Sequence, residues 1–456
     1  MIILNSPDIF LKNSKIDQNR MTMKRISRRG FIQTSIIGAM GLSMFPLIKS
    51  CKEVSANDTI RLGFIGLGRQ AIFLMNGFLT MPGVQIVAGA EVYGVKRQRF
   101  ELRLKEHYAE NNMNVEVTTY KDYKQLLDRD DIDAVVIATP DHWHALNTID
   151  ACNAGKHVYL EKPLTWTIKE GIEVVNAVRN NNRILSVGSQ QRSDYNFYHA
   201  AKLAREGALG KLEKIYAYVG DFPAPYDLPE MPLPEDLDWD MWLGPNPYVH
   251  YNERLAPAIS LDPVQNERGW AEWRYFKETG GGFITDWGAH NFDIAQWGLD
   301  ADDSGPVEII PPGVNGAEYL TYIYANGVPV TNQPYDERNT RGIKFWGENG
   351  WVEVARGQFN ASDESLMPTQ EQVADESVPY ETGTPHQEDF INALRDNKDP
   401  IVPVEIGHRT GTTCILGNIA NELGRVVKWD PAAQYFVDDP EAEKFYHRQY
   451  RQGYSL

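Results

Sequence analysis

Six short apolar runs, each separated from the next by an amphipathic stretch, occupy residues 60 to 189. IRLGFI (60 to 65), QIVAGAE (85 to 91), VEVTT (115 to 119), DAVVIATP (133 to 140), HVYLEK (157 to 162) and ILSVGS (184 to 189) read as strands. Intervening segments such as VKRQRFELRLKEHYAE read as helices. Buried strands joined by helical crossovers form a parallel, doubly wound sheet, which places this part of the chain in the α/β class.

After about residue 190 that regularity stops. Residues 221 to 275 hold nine prolines among many aromatics. This predicts a long ordered loop lying on a surface, because a flexible linker would expose its Trp and Tyr side chains. Alternating segments such as KIYAYVG, EYLTYIYA and IKFWGENGWVEVA predict a mostly antiparallel open sheet. The acidic, Ser-rich residues 358 to 382 read as a surface excursion, and two helices, near 385 to 397 and 407 to 424, follow. The expected organisation is a leader and linker (1–57), a dinucleotide-binding domain (58–188) and a second α/β domain (189–456) for substrate binding and oligomerisation.

GFIGLGRQA (63 to 71) lies between the first strand and its helix. Gly66 and Gly68 allow a tight turn and let backbone N–H groups approach a pyrophosphate at the helix N-terminus, with Arg69 and Gln70 beside it. Glu91, at the end of the second strand, is placed to bind both ribose hydroxyls and repels a 2′-phosphate, so NAD(H) is preferred. Arg97 and Arg99 nearby keep NADP(H) open. ATPDHWHA (138 to 145) follows the fourth strand, and Thr139, Pro140, His142 and His144 are candidate cofactor contacts. The spacing of the two histidines, with no cluster of Cys or carboxylates nearby, argues against a metal. In YLEKPLTW (159 to 166), Pro163 turns the chain out of the strand and leaves Glu161 and Lys162 at the sheet's carboxyl edge. In GGGFITDWGAH (280 to 290), Asp286 and His290 stand four apart on one helix face, with Asp293 a further turn along. The three glycines permit close approach of another segment or a ligand.

The N-terminus is of another kind. SRRGF (27 to 31) precedes a short, Gly-dotted apolar run, the order of a twin-arginine export signal, and the run ends at Cys51, a possible lipidation site. The first 50 residues carry a net charge of +6 against −17 for the whole chain, which leaves −23 on the body. Such a body is a poor partner for nucleic acid or anionic lipid, so any membrane contact is expected only through the signal or an anchor at Cys51. Beyond the leader only Cys152 and Cys414 remain, so disulfides do not frame the fold. The expected location is the periplasm.

Together GLGRQA, TPDHWH, EKP and GGGFITDWGAH resemble the Gfo/Idh/MocA oxidoreductases, from about residue 58 onward, and DWDMWLGPNPY resembles the exported branch of that family. Ala71 at the third small position and Glu91 in place of the commoner Asp are departures. The resemblance implies redox chemistry on a carbinol or carbonyl of a sugar, glycoside or cyclitol. It implies Lys162, Asp286 and His290 as the catalytic set, with Arg192 and Arg274 as further substrate-site candidates. Relatives commonly pair their open sheets, so a homodimer or homotetramer is expected. Two alternatives remain: glycoside hydrolysis through transient oxidation by bound NAD, and a non-catalytic sugar-binding lipoprotein on the same fold.

Overall fold

A computed structural model describes residues 59–259, 261, 270–369 and 386–456. The twin-arginine order and Cys51 lie outside the described residues, as does 370–382 of the expected surface excursion.

Six strands, β1 (Ile60–Ile65), β2 (Val84–Ala90), β3 (Thr118–Tyr120), β4 (Ala134–Ile137), β5 (His157–Leu160) and β6 (Leu185–Val187), form one wholly parallel sheet in the order β3-β2-β1-β4-β5-β6. Helices α1 (Arg69–Phe78), α2 (Gly94–Glu110), α3 (Tyr123–Leu127), α4 (Asp141–Asn153) and α5 (Ile168–Asn180) cross between them. Alternate strand residues fill two cores. Leu62, Phe64, Ile86 and Val136 meet Phe78 and Phe100 on one face, while Val135, Ile137, Val158 and Leu160 meet Cys152, Val174 and Val178 on the other. β3 is shorter and later than the strand read at 115 to 119, because β2 offers it only Ala88–Ala90 as partners at the sheet edge.

The chain then builds α6 (Tyr195–Arg205), β7 (Leu212–Tyr218), α7 (Trp239–Leu243), α8 (Gly282–Asp286), α9 (Gly288–Gly298), β8 (Pro306–Ile310), β9 (Thr321–Tyr324), β10 (Pro329–Thr331), β11 (Gly342–Gly347), β12 (Gly350–Ala355) and β13 (Gln358–Ala361). It closes with α10 (His386–Asp396), α11 (Val404–Leu423), β14 (Val427–Asp430) and β15 (Tyr435–Phe436). The nine strands order as β13-β12-β11-β7-β10-β9-β8-β14-β15, antiparallel except for β7 with β10. One face packs Ile215, Phe345, Val354 and Tyr322 against Phe197, Phe292 and Leu416 of α6, α9 and α11. Gln358–Ala361, read as part of a surface excursion, is instead the edge strand, with Phe359 opposite Val354.

Two segments cross between these sheets. In α10, Phe390, Ile391 and Ala393 are buried in the core of the first sheet, where the Phe390 ring lies 6.4 Å from Phe78 and 5.8 Å from Tyr159. The Pro-rich segment forms its own aromatic cluster, in which Trp239 and Trp242 stack at 4.5 Å. It joins the first sheet through Tyr93 and through the Gly94 N–H, which donates to the Asp236 carbonyl at 2.9 Å.

Candidate active site

A cavity of about 810 Å³ opens at the carboxyl ends of β1 and β4 and extends to α8, α9 and the Pro-rich segment. This is the switch point of the sheet, where strand order reverses and the loops part. Gly66 lies at φ +82°, and a Cβ there would press on the Ala138 carbonyl group at 2.8 Å. A Cβ at Gly68 would meet nothing within 4 Å, and Gly68 opens α1 with no side-chain cap. The free space and uncapped N-terminus fit a pyrophosphate.

Glu91 borders the same cavity, its carboxylate held by the Leu67 N–H (3.0 Å) and the Tyr93 N–H (3.1 Å), with lone pairs to spare for ribose hydroxyls. Arg97 donates to the Glu91 backbone carbonyl, and buried Arg99 donates to the Leu67 carbonyl at 3.1 Å. Arg69 stacks over Trp270 at 4.5 Å, whereas Gln70 donates to Glu161 Oε1 at 2.8 Å. Gln190 reaches that same oxygen at 2.8 Å, and burial raises the Glu161 carboxyl above its usual range despite the nearby Lys162. Thr139 and Pro140 complete this wall, with Thr139 Oγ1 donating to Asn147 at 3.2 Å.

At the inner end, Lys162 Nζ lies 2.6 Å from Asp286 Oδ1 and 3.0 Å from the Asp286 carbonyl. Arg274 Nε is 3.4 Å from the same carboxylate oxygen. Burial alone would raise the Asp286 carboxyl, but these cations outweigh it and hold the group well below the carboxylate range. His290 also lines the cavity and is buried, and its Nδ1, itself shielded from solvent, has no hydrogen-bond partner among the described residues. Burial, with Lys162 and Arg356 nearby, pushes its imidazole well below 6.5, so the ring is neutral. The helix expected to carry Asp286 and His290 is two short helices meeting at Trp287. The glycines before it do permit a close approach: a Cβ on Gly282 (φ +69°) would sit 2.4 Å from Pro223 N, and one on Gly280 2.6 Å from Arg274 Cα.

Three candidates lie elsewhere. His142 is buried behind the wall, its Nε2 donating to the Trp242 carbonyl at 2.8 Å, and burial lowers its ring to about 3. His144 is likewise buried between the Pro163 carbonyl (2.7 Å) and the Thr139 carbonyl (3.0 Å), and burial lowers it to about 4. Neither ring borders the cavity; they hold the Trp242 and Pro163 backbones in place because the first turns of α4 are buried on every side. Arg192 is 1% exposed and spends its donors on Asp293 and Asp302 at 2.6 to 2.9 Å, a brace between α9 and its neighbours. Among the described residues no group of His, Cys, Asp or Glu is arranged to hold a metal, and no helix is long and apolar enough to cross a membrane.

Sequence reasoning missed Asp141, Gln190, Arg341 and Arg356, all in the cavity wall. Asp141 follows Pro140 directly and was within reach of the motif; the two arginines come from the second sheet and carry no local signature.

Residues 60–189 match the family model of the GFO_IDH_MocA oxidoreductases described as an NAD-binding Rossmann fold, and residues 215–456 match that of the C-terminal alpha/beta domain. Among curated relatives, a glycosyl hydrolase family 109 protein of Shewanella sp. (strain ANA-3) is 30% identical over 158 residues, 34% of each chain. The chain thus spans about a third of that relative's length. Among solved structures, the aldose-aldose oxidoreductase from Caulobacter crescentus superposes with a TM-score of 0.52 at 18% identity. A levoglucosan dehydrogenase in complex with NADH does so at 0.55 and 18%. Each covers 81% of this chain and 99% of the other.

Proposed function

Because the chain belongs to the Gfo/Idh/MocA oxidoreductase family, we propose that it moves hydride between NAD(P) and a carbinol or carbonyl carbon of a sugar, glycoside or cyclitol. The observation that carries this is the meeting of Lys162, Asp286 and His290 in the cavity that begins at the Gly66 to Gly68 turn.

When bound, the nicotinamide supplies the hydride acceptor or donor. Losing hydride builds positive character on the carbinol carbon, relieved as the hydroxyl proton leaves, so the protein must take that proton. His290 lines the cavity beside Lys162 and Asp286, and we assign it the proton, since a neutral imidazole is the form that accepts one. Lys162, aimed by Asp286, donates to the same oxygen and stabilises its alkoxide character. Glu91, with Arg97 and Arg99 already engaged by backbone carbonyls, favours NAD over NADP. The leader supports export by the twin-arginine route to the periplasm, with Cys51 as a possible anchor. Loading before export makes a tightly retained dinucleotide part of this reading.

The test is to purify the exported form without added nucleotide, measure bound NAD(P), and follow nicotinamide absorbance across a panel of carbohydrates. Lys162→Ala and His290→Ala are each expected to lower kcat by about 10² or more with dinucleotide still bound. Near-normal turnover in either variant removes that residue from the chemistry, and an absence of absorbance change with any carbohydrate points to a non-catalytic sugar-binding protein. The name of the Shewanella relative favours a second reading, NAD-dependent glycoside hydrolysis. Release of nitrophenol from nitrophenyl glycosides with no net change in NADH would establish that reading instead.

A further inference from the structure

At the inner end of the cavity the carboxylates Asp141, Glu161, Asp194 and Asp286 face the cations Lys162, Arg274, Arg341 and Arg356, but among the described residues only Lys162 and Arg274 lie within ion-pair distance of one. Asp286 is committed to Lys162 at 2.6 Å and Arg274 at 3.4 Å. Glu161 is held by Gln70 and Gln190, and Asp194 caps α6 by accepting from the Asn196 N–H at 2.9 Å. Arg341 and Arg356 also line this cavity, and among the described residues neither has a carboxylate within ion-pair distance. Arg341 donates through Nε to the Val219 carbonyl at 3.0 Å and lies 4.3 Å above the Phe283 ring, so its two Nη groups are left over. Both guanidiniums sit close to one indole, Arg341 at 5.2 Å and Arg356 at 4.8 Å from the Trp287 ring centre. That indole is 5.9 Å from the His290 ring.

Stacking on aromatic faces fixes two guanidinium planes without using their edges, and those edges match the oxygens of a carboxylate or phosphate. Trp287 and His290 touch edge to face and border the same cavity as the two guanidiniums, so a ligand that reaches His290 also comes within reach of Arg341 and Arg356. A neutral sugar would leave both arginines facing hydroxyls that cannot balance their charge.

We infer that the substrate is an anionic sugar, and that Arg341 and Arg356 receive its carboxylate or phosphate group while the carbinol faces His290. This rests on the oxidoreductase reading for the reacting end, but the charge recognition is separable from it.

The probes are D-glucuronate and D-galacturonate, D-glucose 6-phosphate, and neutral D-glucose and D-galactose, presented to the dinucleotide-loaded protein. Binding is followed by calorimetry and turnover by nicotinamide absorbance. At least one anionic probe should bind about 10- to 100-fold more tightly than its neutral counterpart, the range for a charge-assisted contact. Whether a uronate or the phosphate ester is preferred identifies the anion. Arg341→Gln with Arg356→Gln should erase most of that preference, and Arg356→Lys alone should keep part of it. Since the wild-type comparison needs no variant, poor folding of the double variant leaves the inference open to refutation. Anionic binding without any absorbance change would uphold the charge recognition while the redox reading fails. Oxidation of neutral sugars, with anionic ones bound no better, would overturn the inference and leave the redox reading standing. Binding of none of the probes would also overturn it.

Discussion

Asp141 sits among the charged groups of the site, yet Lys162 and Arg274 only partly offset its loss of solvent, and its carboxyl is raised to about 7. Its folded value lies above the unfolded one, so the stability it contributes is complete near pH 4 and falls as pH rises toward about 7. The loss runs at about 1.4 kcal/mol per pH unit. An Asp141→Asn variant has no such titration, so its melting temperature relative to wild type should climb between pH 4 and about 7 and then level off. A difference that stays constant over that range would mean the carboxyl ionises freely. The site's residues differ in how far sequence could reveal them. Lys162, Asp286 and Glu161 were legible because each stands in a short motif beside glycine or proline, where backbone geometry dictates where the side chain goes. His142 and His144 had the same kind of motif around them, but nothing local reveals that α4 is buried all round at its start. Arg341 and Arg356 border the ends of β11 and β12, a hairpin whose arrival at the cavity depends on β11 pairing with distant β7.

The helix α10 shows the same division among elements. Its apolar spacing predicts a helix, and one forms at His386–Asp396. The stripe of Phe390, Ile391 and Ala393 would suit either core, however, and sequence order alone assigns it to the nearer, second domain. In the fold the stripe caps the first sheet, with Phe390 edge-on to Phe78 and Tyr159. Phe390→Ala should therefore cost about 3 to 5 kcal/mol, the usual toll for deleting a fully buried aromatic ring. Because that core supports the dinucleotide turn, bound NAD(P) should fall in parallel. Denaturant unfolding with nucleotide content measured on the same samples checks both, and a loss below about 1 kcal/mol would mean that α10 docks only loosely. The Pro-rich segment was more legible as an element, since its aromatics demanded burial. Its cluster around Trp239, Trp242 and Leu255 supplies it, and Trp242 and Leu255 also border the cavity.

For the molecule as a whole, the face of the second sheet away from α9 and α11 carries Tyr216, Trp346 and Trp351, with Lys344 3.6 Å from the Trp351 ring centre and 3.0 Å from Glu353. An aromatic patch on a sheet face marks an interaction surface, and we propose that it pairs two or four copies of the chain in a homodimer or homotetramer. Light scattering at micromolar concentration checks this, and a monomer mass would refute it. Placing β7 inside that sheet, between β11 and β10, also sets an order in time. Its neighbours, β10 and β11, begin at Pro329 and Gly342, more than 100 residues after β7 ends at Tyr218. At ribosomal rates of about 5 to 20 residues per second, the emerging strand waits roughly 5 to 20 s for either edge to be satisfied. During that interval the strands of the first sheet, still lacking the α10 cap, stand beside an unpaired, half-apolar strand, a nascent state that invites chaperones. An export apparatus that accepts only finished proteins would therefore be licensed late, after β7 has closed between its partners and α10 has capped the first sheet.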